Sequence, residues 1–327
     1  MHIGVVGMGA VGARVFRYLR SREGVVTSEM PGGHRRHMLP QLRKKTPADV
    51  VVLAKPQQVS SAAFYLSRGI SVVSVAGGLS EVENLLALNS LARQNGATLV
   101  VGAAFSPGVS CLLAAKAVAE FQLVEEIHVA RAGTGGRACA RSYHRALGQR
   151  GKEWLEGEWF MRAGGSGREL CWFPDPVGPQ DCYRAALPEP LLLHAAYPKA
   201  RRIGARRAAR RQDRFTAHLP MLTPPPAEGG VGAVRVEVRG RKDGQPTQIV
   251  LGAASRPAIA AAALATEVAI QVGEQIAGLK NEGSGDSKSS DTTLGATGLV
   301  GLVDPSPLLR AVRSYGVTFW KYEGADF

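Results

Sequence analysis

Four cysteines, Cys111, Cys139, Cys171 and Cys182, stand among 327 residues with no C-x-x-C pair between them. That is too few and too irregular for a disulfide framework or a zinc site, so free thiols and no bound metal are expected. The chain also lacks any run of eighteen apolar residues, and no segment is expected to span a membrane. Its first apolar stretch is broken by glycines and followed by no cleavage pattern, unlike a secretory signal, which points to a cytoplasmic protein. No internal repeat is visible.

Acidic residues are in short supply: 40 Lys and Arg face 27 Asp and Glu, a formal charge of +13. Much of the excess lies in Lys199, Arg201, Arg202, Arg206, Arg207, Arg210, Arg211 and Arg214, opposed within that run only by Asp213. A nucleic-acid surface would add interleaved aromatics or a recognition motif, and neither is present. A solvated face, or a field that draws acidic metabolites to a cleft, is the expectation.

What the chain does have, at its very start, is a strand, a glycine turn and a helix. Ile3 to Val6 read as a short buried strand; Gly7-Met8-Gly9-Ala10-Val11-Gly12 follows, and Ala13 to Leu19 have helical spacing. This is the order of a dinucleotide-binding fingerprint. Gly7 permits the tight turn, Gly9 removes a Cβ from the path of a pyrophosphate, and Gly12 lets helix and strand pack closely. The free N–H groups of the helix then face the phosphates, with Ala10 and Val11 beside them. Val25 to Glu29 is the second strand. Glu29 stands near the place of an acid that holds a ribose hydroxyl, whereas Ser28 and the following Arg35-Arg36 suit a 2′-phosphate. The cofactor is therefore left as NAD(P).

Apolar strands at 49–54, 69–75 and 97–102 alternate with helices at 59–68 and 79–94, the pattern of a doubly wound parallel sheet of Rossmann type. Ligands bind at the carboxyl ends of such strands, so Lys55-Pro56, Ala76-Gly77-Gly78 and Phe105-Ser106-Pro107-Gly108 should line the cofactor cleft. After an Ala- and Leu-rich helix from Ser110 to Phe121 the pattern changes. Ile127 to Ala130 is a strand, and 233–240 and 248–252 form a hairpin around Lys242-Asp243-Gly244. Pro257 to Leu279 is a long helix. The fold class is α/β, with a second α+β domain built on an open antiparallel sheet. The domains are expected at 1–122, completed by 296–327, and at 123–280, with a mobile loop at 281–295. The open hairpin sheet would make a natural homodimer surface.

Gly133 to Arg145 is the most suggestive chemical segment. A helix there puts Arg137, Arg141, His144 and Arg145 on one side. Three arginines suit bidentate binding of substrate carboxylates, and His144 offers a proton donor or acceptor near neutrality; a surface helix with solvated cations is the alternative. Lys55 could reach a phosphate or a substrate, or lie idle at the surface. Cys111 is expected to be a core thiol, and Trp154, Trp159 and Trp172 to fill the second domain's core or interface.

The glycine turn, Ala76-Gly77-Gly78, and above all Phe105-Ser106-Pro107-Gly108-Val109-Ser110-Cys111-Leu112-Leu113-Ala114 resemble the saccharopine dehydrogenase family of NAD(P)-dependent enzymes. The resemblance implies hydride transfer to or from a small amino-acid-like or carboxylate substrate. On that reading Arg137, Arg141, Arg145 and Ser106 bind substrate, His144 or Lys55 moves the proton, and Ala76, Gly77, Pro107 and Gly108 abut the nicotinamide. Where the family commonly carries acids, this chain has Ser74, Gly78 and Ser106, so a substrate other than saccharopine is expected. The alternative is a catalytically silent NAD(P)-binding sensor or partner protein.

Overall fold

The computed structural model of the chain describes residues 1–32, 48–221, 228–281, 294–302 and 304–322. Arg35, Arg36 and nearly all of the loop expected at 281–295 lie outside the described residues.

The first sheet contains β1 (His2–Val6), β2 (Val26–Glu29), β3 (Val50–Leu53), β4 (Ser71–Ser74), β5 (Thr98–Val101) and β14 (Gly295–Thr297), in the order β14-β5-β4-β3-β1-β2. Every neighbouring pair is parallel. The connections carry α1 (Gly12–Arg20), α2 (Val59–Leu66), α3 (Leu79–Leu86) and α4 (Asn89–Gln94). β3, β4 and β5 are buried at every residue, which is why they read as unbroken apolar runs rather than alternating ones. The helix expected over 79–94 is two helices, parted at Ala87-Leu88.

α5 (Val109–Val118) leaves this sheet and is buried along nearly its whole length. The second sheet follows, with β6 (Leu123–Ala132) at its centre. Its path is β15-β13-β12-β6-β11-β10-β9, with β7 (Gly151–Leu155) pairing both β11 and β8 (Glu158–Arg162). Here β9 is Glu169–Trp172, β10 Pro179–Arg184, β11 Arg202–Ala208, β12 Gly232–Lys242, β13 Gln245–Ser255 and β15 Thr318–Tyr322. The hairpin of β12 and β13 turns at Asp243-Gly244, both with positive φ, the requirement of a tight two-residue hairpin turn. β6 and β11 run parallel, so the sheet is mixed rather than purely antiparallel. The helices of this half are α6 (Arg137–Gly148), α7 (Glu189–Ala196), α8 (Arg211–Thr216), α9 (Pro257–Asn281) and α10 (Pro305–Arg313).

α9 packs against α1 and the strands of the first sheet, and α5 against β12 and β13 of the second. The buried run Ala260-Ala261-Ala262-Ala263-Leu264-Ala265 lets α9 approach closely. The core is continuous across both sheets. The tail divides: β14 extends the edge of the first sheet, whereas β15 pairs with β13 in the second. Trp154 is half-buried, its indole N–H donating to Ala200 O at 2.9 Å. Trp159 and Trp172 are exposed, not core residues.

The basic run from Lys199 is dispersed by its secondary structure. Arg201 pairs with Glu156 and Arg206 with Glu169, while the Arg210 backbone N–H donates to Asp213 Oδ2 at 2.9 Å at the start of α8. Arg207 is half-buried in β11.

Candidate active site

A cleft of about 470 Å³ opens at the carboxyl edge of the parallel sheet. One wall comes from loops of the first domain: Gly7, Gly9, Ala10 and Val11, then Ala54-Lys55-Pro56, Ala76-Gly77-Gly78 and Ala104-Phe105-Ser106. The other wall comes from the second sheet and α6, with Arg131, Gly135 to Cys139, Ser142 and Tyr143.

Each glycine of the first turn has its own physical reason. Gly7 has φ +93, and a Cβ there would stand 2.8 Å from Ala54 O. A Cβ on Gly12 would lie 1.8 Å from Gly7 O, so the start of α1 sits on the turn with no room for a side chain. Gly9 differs: a Cβ there meets nothing within 4 Å, because the space beside it is the cleft. α1 has no side-chain cap and no acid in its first turn, so no carboxylate competes with an anion for the positive end of the helix. An open cradle of this form fits a dinucleotide pyrophosphate.

Lys55 follows β3 and lines the cleft; a Cβ on Gly32 would be 3.5 Å from its Nζ, which places the ammonium beside the end of β2. Ser28 Oγ is 2.8 Å from His2 Nε2, and Glu29 is exposed at the end of its strand. Neither borders the cleft. Ser74, one of the positions without the family's acid, is buried; its hydroxyl donates to Gln58 Oε1 at 2.7 Å and accepts the Ala76 N–H at 3.1 Å. Ser74 therefore shapes the Ala76-Gly77-Gly78 loop from below.

Gly108 has φ +135, and a Cβ on it would meet Ala104 O at 2.0 Å. Pro107 packs under Gly102. These two residues make the turn rather than its cleft surface, which Phe105 and Ser106 supply. Behind that surface lies Glu189 at the start of α7, wholly buried. The Ser106 hydroxyl donates to its Oε1, and its Oε2 has no hydrogen-bond partner.

The cationic helix brings only one of its arginines to the cleft. Arg137 borders the cleft, whereas Arg141 and Arg145 are exposed and do not. His144 points elsewhere: its Nε2 is 2.9 Å from the carbonyl of Thr216, the last residue of α8. The reason is the helix's buried stripe. Ala140, Tyr143, Ala146 and Leu147 face inward, which turns the side carrying Arg141, His144 and Arg145 away from the cleft.

The residues that sequence reasoning missed are Arg131, Tyr143, Arg207 and Glu189. Arg131 is 3% exposed. Its Nη1 donates to Ser106 O at 2.8 Å, and its guanidinium lies over the Tyr143 ring at 3.5 Å. Burial works against its charge, but Tyr143, Cys139 and Glu189 outweigh that and hold its pKa above the ordinary value. Arg207 pairs in register with Arg131 across β11 and β6 and lies 5.7 Å from the same ring. Burial and the neighbouring Arg131 push its pKa down to about 10. The signal for Arg131 was in the sequence: Ile127, Val129 and Arg131 share the inward face of one strand, and a charge on an apolar face needs a reason.

No protein-family model matches the chain, and no curated protein matches it in sequence. Solved structures do match in fold. The saccharopine dehydrogenase (L-Glu forming) of Saccharomyces cerevisiae superposes with a TM-score of 0.61 at 12% identity, over 98% of this chain and 100% of that one. A meso-dapdh mutant from Clostridium tetani, crystallised with DAP, gives a TM-score of 0.51 at 12% identity over 95% of each chain. The chain therefore has the two-domain fold of saccharopine dehydrogenase, a parallel Rossmann-type sheet joined to a mixed sheet with helices.

Proposed function

We propose that the protein is an NAD(P)-dependent oxidoreductase that transfers hydride to or from a small carboxylate or amino-acid-like substrate. The observation that carries this reading is the construction of the cleft, with a glycine cradle open to it on one wall and an electropositive surface on the other. A bound nicotinamide cofactor supplies or accepts the hydride. Gly9, Ala10, Val11 and the α1 N-terminus would hold its pyrophosphate, and the Ala76-Gly77-Gly78 loop its nicotinamide end. Lys55 fits the phosphate-bearing end, because its ammonium lies beside Gly32. Arg137 and the α6 N-terminus, which has neither a side-chain cap nor an acid in its first turn, fit a substrate carboxylate. The fold shared with saccharopine dehydrogenase supports an amino-acid-like substrate.

Thermal-shift and fluorescence titrations with NADH and NADPH separately test this. Stabilisation by either supports the reading and selects the cofactor; no response to both removes it. A silent NAD(P)-binding sensor is favoured by one observation: Glu81 is the one carboxylate on the cleft wall among the described residues, and it accepts the Gln58 N–H at 2.6 Å. Cofactor binding without turnover of any amino or keto acid would select that reading.

A further inference from the structure

Tyr143 is the one phenol on the cleft wall among the described residues, and it stands where the two domains meet. Its hydroxyl donates to Ser106 O at 3.1 Å, and a Cβ built on Gly77 would come within 3.0 Å of it. It thus touches the loop expected to carry the nicotinamide. Lys55, in contrast, lies by Gly32 at the other end, and His144 is bonded to Thr216.

The surroundings of Tyr143 are cationic, and the carboxyl that acts on Arg131, that of Glu189, lies behind Ser106 rather than on the cleft wall. Arg131 covers its ring and Arg207 reaches it from the next strand. Arg131 Nη1 and Nη2 donate to the carbonyl oxygens of Ser106 and Gly133, and Arg207 Nη1 is buried with no hydrogen-bond partner. Buried cations are ordinarily paired. The titratable groups facing Tyr143 are Arg131 from β6, Arg207 from β11 and Cys139 one turn earlier on its own helix. Ser106 and Gly77 present backbone atoms.

We propose that Tyr143 is the catalytic proton donor and acceptor of the hydride-transfer reaction, and that Arg131 and Arg207 are positioning residues that stabilise its phenolate. The proposal rests on the oxidoreductase reading. In the reducing direction the substrate carbon gains a hydride, and the π pair of its C=O or C=N moves to oxygen or nitrogen. That atom takes the proton from Tyr143 Oη. The O–H bonding pair stays on Tyr143, which becomes a phenolate between two guanidinium groups and regains a proton from water. Oxidation runs the same transfers backwards. Burial pushes the resting phenol's pKa upward while Arg131 pulls it down, so at neutral pH the group begins protonated.

The test uses the full chain labelled with ¹³C at tyrosine Cζ, with Tyr143→Phe identifying the Tyr143 resonance. With saturating NAD⁺ or NADP⁺, whose oxidised ring is cationic, the resonance is expected to shift and to titrate at lower pH than with NADH or NADPH. Arg131→Met should move its titration to higher pH. If a cofactor raises the melting temperature but leaves the Tyr143 resonance unmoved in both redox states, the assignment is overturned while the oxidoreductase reading stands. If neither cofactor binds, both fall. For any substrate found in a panel of keto acids with and without ammonium, Tyr143→Phe should lower kcat at least ~100-fold. It should change KM less than threefold and remove one limb of the pH profile. Retention of more than a third of kcat overturns the assignment.

Discussion

The two walls of the cleft are built in opposite ways. The first-domain wall is built around glycine turns, and its shape is set by positions where a side chain is missing: Gly7, Gly9, Gly12 and the Ala76-Gly77-Gly78 loop. The second-domain wall is side chain, with Arg131 lying over Tyr143 and Arg137 at the mouth. A wall of glycine turns is coded by spacing over a few residues. A side-chain wall depends on strand pairing, because Arg131 and Arg207 meet only through the register of β6 and β11. Local pattern can reveal the first kind and is nearly blind to the second.

The sharpest way to break this contrast is within the glycine turn itself. Gly12→Val would drive a side chain into Gly7 O, and a clash with backbone has no rotamer to relieve it. A loss of about 3 kcal/mol or more is expected, seen as a collapse in urea midpoint. Gly9→Val should do the reverse: stability within about 0.5 kcal/mol of wild type, but cofactor affinity lower by about 100-fold, or about 2.7 kcal/mol. Equal effects of the two substitutions would contradict the division between packing glycine and ligand glycine.

On the side-chain wall, Arg137→Ala should leave cofactor affinity unchanged and raise KM for a carboxylate substrate about tenfold. Deeper in the same sheet, Glu237 is held by Arg235 and Arg239. Burial alone would raise its pKa, but the two arginines hold it below the ordinary carboxylate range. A carboxyl with a depressed folded pKa contributes stability above its unfolded value, about 4.3, and loses it as pH falls through the folded value. Glu237→Gln should therefore lower the melting temperature at pH 7, with the gap to wild type closing below about pH 4. The smallest effect is expected for His144→Ala, which loses one bond to the Thr216 carbonyl. About 1 kcal/mol of stability and no change in cofactor binding or turnover are expected.

The legibility of the molecule follows the same divide. Unbroken apolar strands announced the parallel sheet because both its faces are covered, and the Asp243-Gly244 turn announced the hairpin. The parallel pairing of β6 with β11 joins residues 76 positions apart in sequence, Arg207 with Arg131, and no local pattern carries that. The spacing of Arg137, Arg141, His144 and Arg145 suggests a helix from Arg137 to Leu147 and points to its charged face, whereas the apolar face holds Tyr143. Ser106 was visible as a substitution for an acid. That an acid, Glu189, lies directly behind it needed the packing of α7 under the turn.

The open space beside Gly9 is proposed to be a dinucleotide site. Calorimetric titration of wild type and Gly9→Val with NADH and NADPH, at matched melting temperature, tests it most directly. Saturable one-to-one binding of at least one cofactor to wild type, and its loss in the folded variant, are expected. Unchanged affinity in Gly9→Val, or no binding by wild type, would contradict it.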